Sequence, residues 1–265
     1  MRGASQQSLA RAREALAGVA ASEELGSELF SVARLLDGNG ALRRALTDPA
    51  RPQAARTALV EQLFGGKISA QAVEILSAAV AGRWVSGRDL GHALDQLSVE
   101  ADVAYADDRR TLDEVEDQLF RLERVVAVER ALSDKLSDRR LPVPARQGLI
   151  HGLLQGKADP TTVRLAERAV DGRGRSFVGS LRAYQVAAAA RRSASIATVR
   201  VATDLSEADR TRLAEALGRQ YGREIQLNVI VDPQVVGGVR VDIGDEVIDG
   251  TIAARLDEAQ RRIAG

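Results

Sequence analysis

The chain repeats itself, and that repeat limits what it can fold into. Residues 24–94 laid over residues 114–184 without a gap agree at 22 of 71 positions. Leu29-Phe30 returns as Leu119-Phe120, and Arg34 as Arg124. Pro52, Ala55, Arg56, Leu59 and Leu63 return as Pro142, Ala145, Arg146, Leu149 and Leu153. Gly66-Lys67 returns as Gly156-Lys157, and Ala79-Val80-x-Gly82-Arg83 as Ala169-Val170-x-Gly172-Arg173. A spacing of 90 residues exceeds the roughly 20–50 residues of solenoid units, so this is a duplicated supersecondary unit.

The content of each copy is helical. Leu25, Leu29, Val32 and Leu36 recur at three- and four-residue spacings, as do Leu112, Val115, Leu119, Leu122 and Val126; that period puts each set on one helix face. Pro52 and Pro142 suit a first helical turn, where a missing amide hydrogen costs nothing. The helix after Pro52 carries Ala55, Leu59 and Leu63 and stops at Gly65-Gly66, a glycine end signal. Ser69 and its counterpart Asp159 are N-cap residue types. Val73, Leu76 and Val80 then face inward, and another helix covers about 88–105. This predicts four helices per copy, a preceding helix over 8–20, and about nine in all. Ala and Leu abound and aromatics are 3%, a composition that favours helix.

Near Ser195 the period changes. An Ala-rich helix over 181–192 gives way to a strand over 196–203. Ser206 opens a helix over 207–221, with Leu213 and Leu217 inward and Gly222 at its end. Residues 224–231 and 239–243 alternate as half-buried strands. Asp249-Gly250-Thr251 opens a closing helix through Ile252, Leu256 and Ile263. The expected fold class is mainly α with a small α+β C-terminal domain, its N-terminal helix bundle enlarged by the internal duplication. The expected divisions are 1–110 (first copy), 111–194 (second copy) and 195–265 (α+β module).

Chemistry is sparse. Lys+Arg and Asp+Glu both number 37, so the basic excess that phosphate neutralisation favours is missing. Arg164, Arg168, Arg173, Arg175, Arg182, Arg191 and Arg192 do crowd together; they read as a solvated helix face rather than a nucleic-acid interface. Zero cysteines exclude thiolate catalysis and disulfides. His92 and His151 have no second histidine at a ligand spacing. Gly65-Gly66-Lys67 ends a helix and is followed by Ile68, so it is not a phosphate loop. The loop at 172–175 reads as an interhelix turn. Asp242, Asp245, Glu246 and Asp249 lack the alternation of a calcium loop; Asp245-Glu246 reads as a turn edge and Asp249 as an N-cap. No catalytic, cofactor-binding or metal-ligating residue is assigned. No apolar run approaches the ~20 residues that span a bilayer.

One stretch is more specific. From Asp232 the chain runs Asp232-Pro233-x-Val235-Val236-Gly237-Gly238, then an apolar strand, then Gly244-Asp245 and Ile248-Asp249-Gly250-Thr251. This resembles the C-terminal signature of the delta subunit of F-type ATP synthase, the family of the oligomycin-sensitivity-conferring subunit. Its structural positions here are Asp232, Pro233, Gly237, Gly238, Gly244, Asp249 and Gly250. The stretch at 199–206 resembles the same family's strand leading into a Leu-Ser helix cap. Leu46-Thr47-Asp48-Pro49 with Leu63-Phe64 resembles its bundle helices. The doubled unit is similar to the enlarged actinobacterial delta subunits.

The resemblance implies a non-catalytic peripheral-stalk subunit. Its partners would be the N-terminal helices of ATP synthase alpha subunits and a b-type stalk subunit. It would sit peripherally on the cytoplasmic face of the bacterial plasma membrane, reaching the membrane only through partners, with no cofactor and no nucleic acid. The alternative is a generic helical adaptor or scaffold.

Overall fold

A computed structural model describes residues 1, 3–138, 140–172, 175–194, 196–221, 225–233, 235, 237–244 and 246–251. The chain forms two compact units, Met1–Ala188 and Ala189–Gly265.

The first unit is helical. It opens with α1 (Ala4–Gly18). The first copy follows as α2 (Leu25–Gly38), α3 (Gly40–Thr47), α4 (Gln53–Phe64), α5 (Ala70–Ala81) and α6 (Gly87–Asp108). The second copy is α7 (Leu112–Val128), α8 (Arg130–Ser137), α9 (Val143–Leu154), α10 (Pro160–Ala169) and α11 (Phe177–Ala194). Each copy thus has five helices, not four, and eleven precede the mixed module among the described residues. The missed helices are the eight-residue α3 and α8. Gly38-Asn39-Gly40 reads as a stop, yet Asn39 serves both sides of the joint. Its N–H donates to the Leu35 carbonyl to finish α2. Its side chain accepts from the Leu42 N–H at 3.0 Å to start α3. Glu129 holds the same place between α7 and α8, donating its N–H to the Val125 carbonyl.

Other boundaries differ by small amounts. Pro52 and Pro142 are N-cap residues, with Pro144 inside the first turn of α9. On α4 the buried face is Arg56, Val60 and Phe64, while Leu59 and Leu63 are half-buried and Ala55 is exposed. Gly66 and Gly156, which end α4 and α9, take φ of 68° and 71°, a left-handed conformation that glycine adopts without a Cβ penalty. Ser69 caps α5 by accepting from the Ala72 N–H, and Asp159 caps α10 by accepting from the Thr161 N–H.

Each copy has its own apolar core. Leu25, Leu29, Leu36, Leu46, Ile75, Leu76, Leu90 and Leu94 belong to the first, which α1 joins through Leu9 and Ala12. Val115, Leu119, Leu136, Ile150, Leu165, Phe177 and Leu181 belong to the second. The two cores are not separate pieces, because the 22-residue α6 serves both. Leu90, Ala93, Leu94, Leu97 and Ala101 pack in the first, and Val99, Val103 and Ala106 in the second.

The second unit contains β1 (Ile196–Val201), α12 (Glu207–Tyr221), β2 (Gln226–Val231), β3 (Val239–Ile243) and β4 (Glu246–Asp249). The sheet order is β2-β1-β3-β4. β1 and β2 are parallel, as a crossover through α12 requires, and the other pairs are antiparallel. Ala197, Val199 and Val201 of β1 form a core with Leu217 of α12 and with Val241 and Ile243 of β3. β4 is absent from the sequence reading, which places Glu246 in a turn and Asp249 at a helix start. The strand is four residues long and exposed throughout, so no burial pattern marks it. β1 and β2 are each about two residues shorter than expected. Gly222, Asp245 and the expected closing helix from residue 252 onward lie outside the described residues.

Candidate functional site

Repeat equivalence explains the internal bracing of each copy. Arg56 is buried in the first copy and donates to the Gly82 carbonyl at 2.9 Å and the Ala81 carbonyl at 3.4 Å. Its counterpart Arg146 donates to the carbonyls of Val170 and Leu136, both at 3.0 Å. Each guanidinium thus satisfies carbonyl groups at a helix end, where the helix itself provides no donors. A second pair ties the start of the α5/α10 helix to the α2/α7 helix. The Ser69 N–H donates to Glu28 at 2.8 Å, and the Asp159 N–H donates to Gln118 at 2.9 Å. The two changes compensate: where Ser69 becomes the acid Asp159, the acceptor Glu28 becomes the neutral Gln118.

The joint between the copies is made by arginines of α10. Arg168 is 3% exposed and pairs at 2.8 Å with Asp102 of α6, which is fully buried. The same guanidinium donates to Ser98 at 3.1 Å and lies 4.8 Å from the centre of the Phe30 ring of α2. Arg164 pairs with Glu23 at 2.8 Å, approaches Asp102 at 3.5 Å and stacks over Tyr105. Arg34 of α2 pairs with Asp171 just beyond α10. Gly26 makes room for this joint, since a Cβ there would stand 2.5 Å from the Asp102 carboxylate. Two members of the basic cluster are therefore not on a solvated face, since Arg164 and Arg168 join the copies. Arg182 of α11 stays exposed and pairs at 2.7 Å with Glu123 of α7. That guanidinium, with Gln185, holds the Glu123 carboxyl below the usual carboxylate range against the opposing effect of burial.

The equivalent face of the second copy is open. Phe120 and Arg124 of α7 stand where Phe30 and Arg34 stand on α2, but Phe120 is 49% exposed and its ring is met only by Arg124, at 5.9 Å, among the ring–cation contacts seen. Val125 and Val128 are exposed on the same helix. The opposite end of the array differs. There α1 lies over α5, the first-copy counterpart of α10, and Ser5 bonds to Asp89 at 2.6 Å and Ser8 to the Arg83 carbonyl at 2.7 Å.

In the C-terminal unit the signature residues shape the backbone. The Asp232 N–H donates to the Val201 carbonyl at 2.8 Å, with Pro233 following as β2 ends. Gly237 and Gly238 have φ of 71° and 83° and lead into β3. A Cβ on Gly238 would lie 2.5 Å from the Gly250 carbonyl oxygen, and the Gly250 N–H closes onto the Val239 carbonyl at 2.9 Å. Gly238 and Gly250 are thus brought together, while Asp232 and Pro233 sit apart at the end of β2. Gly244, at φ 55°, turns β3 into β4. Asp249 ends β4, and its Oδ1 accepts from both the N–H and the hydroxyl of Thr251; those bonds hold its carboxyl below the usual range. Asp242 is paired with Arg200 at 3.0 Å and Arg240 at 3.4 Å.

Among the described residues, no three His, Cys, Asp or Glu side chains converge as metal ligands would. No described helix is long and apolar enough to cross a membrane. His151 bonds to Glu167 at 2.7 Å, and His92 borders an open recess with Asp37, Arg43 and Arg88. These surfaces offer helix faces and a sheet, which suit binding other chains.

Comparison with known proteins agrees with this picture. The family model described as "ATP synthase delta (OSCP) subunit" matches residues 99–263, which take in the second copy and the mixed module. Proteins named ATP synthase subunit delta match nearly end to end. That of Kineococcus radiotolerans is 46% identical over 99% of this chain and 98% of its own length. Those of Parafrankia sp. and Streptomyces avermitilis are 46% and 43% identical over 98% and 99% of this chain, and 99% and 98% of their own length. A chain in a Toxoplasma gondii mitochondrial ATP synthase hexamer overlaps 63% of this chain and 95% of its own length at 15% identity with a TM-score of 0.31, a superposition too loose to carry any conclusion. The doubled helical unit is shared with the full-length relatives, and the chain belongs to the ATP synthase delta (OSCP) subunit family.

Proposed function

We propose that this chain is a stationary, non-catalytic connector in an F-type ATP synthase. It joins the catalytic head, through the N-terminal helices of alpha subunits, to a b-type peripheral stalk. It lies on the cytoplasmic face of the bacterial plasma membrane and touches the membrane only through those partners. In that place it resists rotor torque, so that proton flow is converted into ATP synthesis rather than into rotation of the whole head.

The observation that supports this reading best is the end-to-end match to proteins named ATP synthase subunit delta. The physical build agrees with it. A connector under torque has to transmit force without yielding, and close-packed interiors have low compressibility. Here one helix runs through both cores, and a buried ion pair fixes the second copy to it. The exposed helix faces are the kind of surface that receives amphipathic helices in grooves.

The test is depletion of the chain followed by add-back. Membranes lacking it should keep ATP hydrolysis in the detached head and lose ATP synthesis driven by a proton gradient. Added chain should restore synthesis and co-purify with alpha and b subunits. Purified ATP synthase that lacks the chain, or synthesis that persists without it, overturns the reading.

A further inference from the structure

Several arginines of the helical unit end on carboxylates, among them Arg13, Arg34, Arg121 and Arg182. The arginines around His92 do not. His92 stands on α6 between two recesses. One, of about 270 Å³, is lined by His92 with Asp37, Arg43 and Arg88; the other, of about 90 Å³, adjoins it and takes in Asp95 and Arg175. Arg43 donates to neutral carbonyls, those of Leu36 at 2.8 Å and Asp37 at 3.5 Å. Among the described residues, the side chains of Arg88, His92 and Arg175 show no hydrogen bond and no ion pair, whereas the two acids, Asp37 and Asp95, each have an interaction of their own. In a chain of zero formal net charge, this is a local excess of positive charge in a concave place, where the field attracts anions.

The repeat shows that folding does not call for these charges. The positions of Arg43 and Arg88 are Ser133 and Val178 in the second copy, and that of His92 is Arg182, which is already paired with Glu123. The charged recess therefore belongs to the first copy alone.

We propose that the recess between the α2–α3 corner and the start of α6 binds a phosphate group, held by the guanidiniums of Arg43 and Arg88 and by the imidazole of His92, with Arg175 adding attraction from the adjoining recess. Guanidinium N–H forks match phosphate oxygens in geometry and charge, and an imidazole brings a further N–H. A carboxylate presents two oxygens in one plane and fills one fork. A tetrahedral anion turns oxygens toward several donors at once, as an arrangement from α3 and two turns of α6 requires. The phosphate is either free or the end of a nucleotide, and the chemistry at the recess is the same for both.

The test uses the purified full chain, so its result is independent of the connector reading. The chain has two histidines, His92 and His151, whose ring Cε1–H resonances are assigned with His92→Gln. His151 lies on α9 against Glu167 and is the internal control. Inorganic phosphate added at constant pH and ionic strength should move the His92 signal along a saturating curve and leave His151 in place. Arg88→Gln should weaken that binding about tenfold, the scale of hydrogen bonding to a charged group; Arg44→Gln, which removes an exposed charge of α3 outside the recess, should leave it unchanged. Phosphate should also raise the urea midpoint more in the native chain than in Arg88→Gln, since a ligand of the folded state stabilises it. Titration with ADP separates the sources: binding tighter than phosphate assigns the recess to a nucleotide, and binding no tighter assigns it to the free anion. A His92 signal that stays still with both, that moves equally with acetate, or that saturates alike in Arg88→Gln overturns the inference.

Discussion

Replacing Asp102 with asparagine keeps the side chain's shape and removes the charge that pairs with Arg168 between the copies. The guanidinium then remains 3% exposed, with the neutral groups of Ser98, the Phe30 ring and the asparagine amide around it and no paired charge from residue 102. Stripping one partner from a buried ion pair costs about 3–5 kcal/mol. Arg168→Met should cost less, toward the lower end of that ~3–5 kcal/mol range, because Arg164 stands 3.5 Å from the same carboxylate and keeps part of the compensation. Asp102→Leu with Arg168→Met removes both charges together, and such replacements often leave stability within about 1 kcal/mol or raise it. The double mutant should therefore be more stable than Asp102→Asn.

The chain carries its own reporters for the assay. Trp84 is the single tryptophan. It is buried in the first core, with its indole N–H on the Ala79 carbonyl, so its fluorescence follows the first copy. Far-UV circular dichroism follows helices of both copies. In urea the two signals should coincide for the native chain, because α6 belongs to both cores, and coincident probes are the mark of one cooperative transition. In Asp102→Asn they should separate. Coincident curves at an unchanged midpoint, or a double mutant as unstable as the sum of its singles, would refute the idea that this pair holds the copies together.

Three further perturbations follow. Tyr184 is buried in the second core, and burial pushes its phenol above the ordinary value. The unfolded chain then loses this proton first, so stability is intact below the ordinary phenol pKa of about 10 and falls as pH climbs from there toward the folded value. Tyr184→Phe should flatten that alkaline fall in urea midpoints between pH 9 and 11; an equal slope in both chains would sink the assignment. Arg146→Met strands the carbonyls of Leu136 and Val170 and should cost about 1–3 kcal/mol by the same denaturation assay, with Arg56→Met matching it within the scatter. Gly238→Ala meets a backbone carbonyl at 2.5 Å from a left-handed φ and should cost at least ~1–3 kcal/mol. Amide exchange should rise across β1, β3 and β4 and stay unchanged in α1–α11.

Much of this is legible in the sequence, for identifiable reasons. Long stripes such as Leu112 to Val126 declare a helix because five apolar residues share one face, and all five are buried. α3 and α8 stayed hidden because two helical turns carry too few apolar positions, with Leu46 and Leu136 each the one buried residue of its helix. β4 stayed hidden because every residue in it is exposed. The arginine joint is the least legible part of the fold. A cluster of basic residues looks solvated until the acids that neutralise it are located, and Asp102 and Glu23 lie far from it in sequence. Two signals did exist. Arg168 replaces Ala78 of the first copy, and Gly26 interrupts an amphipathic helix where the second copy has Glu116. Differences between internal repeats mark the places where the copies cease to be equivalent, and a joint between them is such a place.

That asymmetry also bears on why doubling the unit would serve a connector at all. Two bundles on a flexible linker would add length and no stiffness, since the linker would absorb any applied twist. A shared helix changes the mechanics: α6 cannot rotate in the first core without dragging Val99, Val103 and Ala106 in the second. The Asp102–Arg168 pair then fixes the remaining rotation about the α6 axis, because it ties α10 to that helix at a point off the axis. Stiffness and cooperativity should thus fail together. A chain in which the Trp84 and helix signals separate should also couple proton flow to synthesis less tightly, even when it assembles fully. Full assembly with undiminished coupling in Asp102→Asn would mean that torque bypasses the joint and that the second copy serves a partner instead.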